Sequence, residues 1–181
     1  MKIISLSFDM DQYIEQAAEL LMESFEHSWN TIEEATLEVK ESLGDDRISR
    51  ISINEQGDLI GWIGGVRSYD GNVWEMHPLV VSKDWRGKGI GRLLVEDFES
   101  IVAEKGGITV LLGTDDEDYK TTIGGIDLYP DIYENMQNVR NLRNHPYEFY
   151  QKVGYKIVGL IPDANGFGRP DILMAKRVKE I

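Results

Sequence analysis

Cysteine is absent from the chain, which excludes a disulfide framework, a thiolate zinc or iron–sulfur site and a cysteine nucleophile. Basic residues are scarce: 19 Lys and Arg stand against 32 Asp and Glu, a formal charge of −13. That balance argues against nucleic acid or an anionic membrane as partner. Long hydrophobic runs are also missing. The longest, with glycine allowed, is Leu59 to Val66, far short of the roughly 20 residues that span a bilayer. The N-terminal stretch carries one Lys, a brief alternating run, then Asp9 and Asp11, unlike a secretory signal. These absences lead to the expectation of a soluble, cytoplasmic protein that holds no metal.

The chain has 181 residues, 41% apolar and 28% charged, enough to bury roughly 70% of its unfolded surface around one core. Charge is distributed unevenly. Residues 1–46 hold 12 acids against Lys2 and Lys40, whereas residues 83–92 hold Lys83, Arg86, Lys88 and Arg92 against Asp84. A basic island in an acidic chain suggests a bound anion, and the acidic remainder suits a cation.

Hydrophobic periodicity orders the elements. Alternation over 2–8 reads as a strand, and Ile14, Ala17, Ala18, Leu21 and Phe25 fall on one helical face between Met10 and His27. Thr31 and Glu34 form a capping box opening a second helix, which Gly44 is placed to close. Strands over 47–54 and 58–68 flank a Glu55-Gln56-Gly57 turn, and a third follows over 72–82. A helix from Ile90 leads to a short buried strand over 108–112. Residues 114–143 read as irregular, apart from a helical turn near 132–136. Pro146 then opens a short helix that Gly154 ends, and strands over 155–161 and 171–177 close the chain. The expected fold is one α+β domain, 1–181, on a mixed, mostly antiparallel sheet flanked by helices.

Two adjoining segments carry chemistry. Arg86-Gly87-Lys88-Gly89-Ile90-Gly91 follows a strand and opens a helix. Glycines allow close backbone approach, and the free first-turn amides of a helix favour phosphate. A dinucleotide fingerprint from Gly87 would need glycine where Arg92 stands, and the Gly-Lys-Ser/Thr of a P-loop is missing. What remains is a pyrophosphate cradle of the form R-x-x-G-x-G. In the preceding strand Glu75, His77 and Leu79 share one face. Pro78 implies an edge, a bulge or a local opening, which would free the amides of Leu79, Val80 and Val81 for a ligand lying along the strand. Glu75 is then the candidate base.

This R-x-x-G-x-G loop after a broken strand resembles the GNAT acetyltransferases. The stretches 74–81, 106–109, 112–116, 141–143, 145–150, 153–159 and 162–166 resemble the aminoglycoside 6'-N-acetyltransferases, with His145-Pro146-Tyr147-Glu148-Phe149-Tyr150 and Leu112-Gly113-Thr114-Asp115-Asp116 the most specific. The likeness is looser over 10–56. It implies a GNAT fold with a splayed strand pair binding acetyl-CoA, the pyrophosphate held at Arg86, Gly87, Lys88, Gly89, Ile90 and Gly91. It further implies the Leu79 amide as donor to the thioester oxygen and Tyr150 as donor to the leaving sulfur; Tyr147, one helical turn away, is the alternative. Glu75 stays the candidate base, directly or through water, and His77 would polarise that water or help position the substrate. Glu23, Glu26, Trp29, Asp115 and Asp116 are candidate contacts to a polycationic aminoglycoside, and a homodimer is implied as well. A GNAT enzyme for a polyamine or other small cationic amine, or a non-catalytic module that binds acetyl-CoA or antibiotic, are the rival readings.

Overall fold

The computed structural model describes residues 1–25 and 28–179. Their packing separates into two compact units, Met1–Val110 with the residues from Val178 onward, and Leu111–Arg177.

The first unit carries β1 (Lys2–Ser5), α1 (Asp11–Ser24), α2 (Ile32–Glu41), β2 (Arg47–Ile53), β3 (Leu59–Ser68), β4 (Val73–Val81) and α3 (Ile90–Glu104). β1 to β4 form a continuous antiparallel meander. Local chemistry explains the boundaries. The Thr31 hydroxyl accepts from the Glu34 amide, the cap anticipated for α2, while the Glu34 carboxylate reaches one residue further back and accepts from the Asn30 amide. The tight turn at Gly57 closes the β2–β3 hairpin with φ +94°, a conformation open mainly to glycine.

β3 is buried along Leu59–Gly65, and a strand covered on both faces need not alternate in polarity. On one side Trp62 joins a cluster with Ile14, Ala17, Ala18 and Leu21 of α1 and Ala35 and Val39 of α2. On the other side α3 lies directly on glycines. A Cβ added to Gly61 would stand 2.9 Å from Leu94, and one added to Gly65 only 2.3 Å from the Phe98 ring. Arg50 of β2 adds a forked ion pair to Asp97 of α3, Nε to Oδ2 at 2.7 Å and Nη2 to Oδ1 at 2.9 Å. Its Nη1 donates to the Ser5 hydroxyl of β1 at 2.6 Å.

β5 (Thr109–Asp115) runs on into the second unit, which holds α4 (Ile132–Gln137), α5 (Tyr147–Lys152), β6 (Lys156–Ile161) and β7 (Asp171–Arg177). Here the strand order is β5-β7-β6, with β6 and β7 antiparallel. The segment between β5 and α5 is anchored from within. Asp116 is fully buried and accepts from the Lys120 amide at 2.6 Å, the Thr121 amide at 2.9 Å and the Thr121 hydroxyl at 2.6 Å.

The α+β reading and the element order stand. Two boundaries differ from the sequence expectation. α1 ends at Ser24, before the Phe25 that shares its apolar periodicity, because Phe25 leaves helical geometry to stack edge-on against Trp29. Pro146 sits one place earlier than expected, as the N-cap of α5.

The contact between Gly65 and Phe98 carries a direct test. Gly65→Ala is expected to destabilise the protein by about 2 kcal/mol through overpacking, with part of the loss recovered by Phe98→Leu. Urea denaturation of the single and double variants measures both effects. A Gly65→Ala protein as stable as wild type would contradict the packing.

Candidate active site

The strand break at Pro78 is a bulge. Ile63 stands opposite Leu79 and Gly65 opposite Met76, so β4 has one more residue than β3 across this interval. The extra length leans on Gly64, where a Cβ would come 2.5 Å from the His77 carbonyl oxygen and 3.1 Å from Pro78 Cδ. Gly64 is therefore part of the device. The Gly64-Gly65 pair inside an apolar strand was the available sequence signal for this close backbone approach.

Alternation along β4 is strict. Glu75 and His77 are exposed and Leu79 is half-buried, while Trp74, Met76, Pro78 and Val80 are buried. The Ser82 amide donates to the Ile60 carbonyl at 3.0 Å, which fixes the phase of the ladder beyond the bulge. In an antiparallel pair the hydrogen-bonded positions alternate, so Val80 turns its amide toward β3, and Leu79 and Val81 turn theirs away. Of the three amides expected to be free, Val80's is therefore committed to the sheet.

The glycine loop takes its shape from positive φ angles, +73° at Gly87 and +86° at Gly89. A Cβ at either position would meet nothing within 4 Å, so backbone conformation, not crowding, requires glycine there. Arg86 is drawn back onto the strand, its Nε donating to the Val81 carbonyl at 2.9 Å. Lys88 Nζ lies 4.7 Å from the centre of the Trp85 ring. α3 begins at Ile90 with Gly89 as N-cap, no capping side chain and no acid in its first turn. The early amides of a 15-residue helix are thus left without a side-chain acceptor beside cationic residues, an arrangement that suits an anion.

In the second unit, Tyr150 is half-buried and makes edge contacts with Phe149 and Tyr155 at 5.1 and 6.0 Å between ring centres. Its hydroxyl has dry surroundings, and burial pushes its pKa up to about 12. Tyr147 is also raised, by burial first and the Glu148 charge second, while a hydrogen bond to the Asn141 backbone acts in the opposite direction.

The expected substrate contacts divide. Glu23 is exposed on the last turn of α1, and Trp29 is half-buried against the α1–α2 core. Glu26 lies outside the described residues. Asp115 is exposed and accepts from the Asn165 side chain at 2.5 Å. Asp116 is a correction: its carboxylate is consumed by three donors of its own loop, a structural role that leaves it no face toward a substrate. Asp115 is the last residue of β5 whereas Asp116 begins the turn that wraps around its carboxylate, which explains why only one of the pair is outward. Among the described residues no group of His, Asp or Glu is arranged to hold a metal ion.

Asp116→Asn is expected to cost about 2 kcal/mol, since an amide nitrogen would face backbone donors where an acceptor is needed. Hydrogen exchange should quicken at Lys120 and Thr121. Unchanged protection at both amides would refute the anchoring role.

The acetyltransferase (GNAT) family matches residues 14–124. Comparison with curated protein sequences finds no match. Among solved structures, the chain is similar to an aminoglycoside 6'-N-acetyltransferase complexed with coenzyme A, at 40% identity and a TM-score of 0.94. It is likewise similar to the aminoglycoside 6'-N-acetyltransferase from Enterococcus faecium, at 39% identity and 0.92, and to a type Ii aminoglycoside 6'-acetyltransferase, at 35% and 0.76. Each comparison covers 100% of this chain and 99% of the other. With its bulged strand, glycine loop and uncapped helix, the chain belongs to the GNAT acetyltransferase family.

Proposed function

We propose that this protein transfers the acetyl group of acetyl-CoA directly to the 6'-amine of an aminoglycoside antibiotic, conferring resistance, and that residues 1–181 act as a single catalytic domain. The observation that carries the reading is the pairing of an outward Leu79 amide, set by the bulge, with an uncapped helix start behind a glycine loop. Full-length similarity to three enzymes of this activity supports it.

In this reading the amides of Gly89 to Gly91, with Lys88, hold the pyrophosphate of acetyl-CoA, and β4 aligns its pantetheine arm. A sugar amine is mostly ammonium at neutral pH, and removing its proton costs roughly 1–4 kcal/mol if its pKa lies between those of an α-amino group and Lys. Glu75 accepts that proton, directly or through a water that His77 orients; a positioned base is worth about 10²–10⁴-fold. As the amine nitrogen bonds to the carbonyl carbon, the Leu79 N–H donates to the oxygen that gains charge, an interaction typically worth about 3–4 kcal/mol. The C–S bond then breaks, and the nitrogen passes its second proton to water as the amide forms, Glu75 having taken the first.

Tyr150 serves the departing sulfur. Its phenol, pushed up to about 12, is a weaker acid than a thiol near ~8.5, so complete proton transfer would run uphill by about 5 kcal/mol. Tyr150 therefore donates a hydrogen bond to the thiolate and keeps its proton, and water protonates the released coenzyme. With no cysteine in the chain and no G-x-S-x-G elbow, direct transfer needs no acyl-enzyme. Glu23, Trp29 and Asp115 supply acidic and aromatic contacts for a polycation.

A thiol-release assay with acetyl-CoA tests the function. A 6'-amino aminoglycoside should turn over, and its 6'-hydroxyl counterpart should not. Equal rates would reject the assignment, and turnover of polyamines alone would favour the rival substrate class. Glu75→Gln should lower kcat/KM by about 10²-fold or more. Tyr150→Phe should lower kcat without moving any basic pH limb below 10, because a phenol near 12 stays protonated throughout that range.

The protein is also read as a homodimer of the cytoplasm, where acetyl-CoA is made. Val158 and Ile161 on β6 and Phe167 in the β6–β7 turn are exposed apolar residues suited to a subunit contact. Among the described residues no helix is long and apolar enough to cross a membrane. Sedimentation equilibrium should return twice the chain mass, and Phe167→Asp should shift it toward the monomer; a monomeric wild type would contradict the dimer.

A further inference from the structure

His145 belongs to the most specific motif of the chain but has no assigned role. It is 2% exposed, and both of its ring nitrogens are engaged. The Tyr147 amide donates to Nδ1 at 3.2 Å, so Nδ1 carries no proton. The proton then resides on Nε2, which donates to the Asp115 carbonyl oxygen at 3.0 Å. Asn141 clamps the same residue from the other side: its Oδ1 accepts from the His145 amide at 2.8 Å and its Nδ2 donates to the His145 carbonyl at 2.9 Å. The Tyr147 amide is the first of α5, a group with no partner inside the helix. One imidazole thus caps the helix bearing Tyr150 and ties down the end of β5 bearing Asp115.

We propose that His145 is a positioning residue whose single neutral tautomer seats Tyr150 for the leaving sulfur and Asp115 for the cationic substrate. The inference rests on the roles given to those two residues above. A second proton on the ring would place an N–H against the Tyr147 N–H and undo the cap. Around the ring stand Asp115, Asp116 and Lys120, with Tyr147 beside it and the Asn141 amide behind it. Burial is the largest influence and favours the neutral form, with Lys120 acting in the same sense; the Asp115 carbonyl and the two carboxylates oppose them. The net effect lowers the histidine pKa. A histidine whose folded pKa is depressed contributes its full stability above the unfolded value near ~6.5, and loses it as pH falls toward the folded one. The seat is therefore intact at neutral pH and released in acid.

Isosteric substitutions separate the two bonds. His145→Asn places an acceptor near Nδ1 and removes the donor to Asp115, whereas His145→Gln places a donor near Nε2 and removes the cap. In the full chain, with acetyl-CoA and a 6'-amino aminoglycoside, the Asn variant should raise KM for the amine about tenfold and hold kcat within about threefold, and the Gln variant should do the reverse. The Asn variant should also lose one ionisation from the acid limb of kcat. Hydrogen exchange at the Tyr147 amide gives a readout independent of activity: protection should fall in the Gln variant and persist in the Asn variant. Equal Tyr147 protection in wild type and the Gln variant would overturn the seating. So would parallel losses of kcat and KM in both variants with the acid limb unmoved. If wild type leaves the amine unacetylated, the parent reading fails and the exchange comparison alone decides the seating.

Discussion

A backbone contact governs the rest of this structure. The bulge at His77-Pro78 presses its carbonyl onto Gly64, where a Cβ would stand 2.5 Å away. Because one added residue reverses which edge each later amide faces, the bulge sets the phase of Leu79, Val80 and Val81. Leu79 and Val81 face away from β3 as a result, and the chain enters the glycine loop with the Val81 carbonyl ready to receive Arg86. A regular strand would retain the same side chains and lose that amide pattern. The catalytic proposal is in this sense a statement about backbone phase more than about any single reactive side chain.

Glycines recur at the points where this arrangement meets its supports, for two different reasons. Gly61, Gly64 and Gly65 are small because α3 and the bulge lie against them, and at these positions volume decides. Gly87 and Gly89 have open space around the missing Cβ and a left-handed backbone, so conformation decides. The first group fixes where α3 lies on the sheet, with Arg50 and Asp97 adding a charged fork. The second group leaves the start of that helix clear of side chains. Position and access of the helix start are therefore set by separate residues.

Much of this was legible in the sequence. Capping at Thr31 and Glu34, the R-x-x-G-x-G loop and the proline in β4 are local signals, and the structure contains each where the pattern puts it. What the sequence hid depends on three-dimensional neighbours. Asp115 and Asp116 look alike in a run of four acids, yet one is exposed and the other is buried among three donors. That difference follows from the turn at 116–121, which no periodicity encodes. Gly64 carried a readable sign, a glycine pair in a buried strand, but its partner across the ladder did not. His145 resembled an ordinary motif residue because its two hydrogen bonds reach positions 115 and 147, one of them distant in the chain.

The claim that the bulge turns Leu79 and Val81 outward, beside an open helix start, is most directly tested by amide chemical shifts during titration with coenzyme A. The account predicts that the Leu79, Val81, Gly87, Gly89 and Gly91 amides move together with one saturation curve, and that Val80 moves least among 79–81. A titration that saturates while Leu79, Val81 and the glycine-loop amides stay fixed, with the shifts confined to other elements, would contradict it.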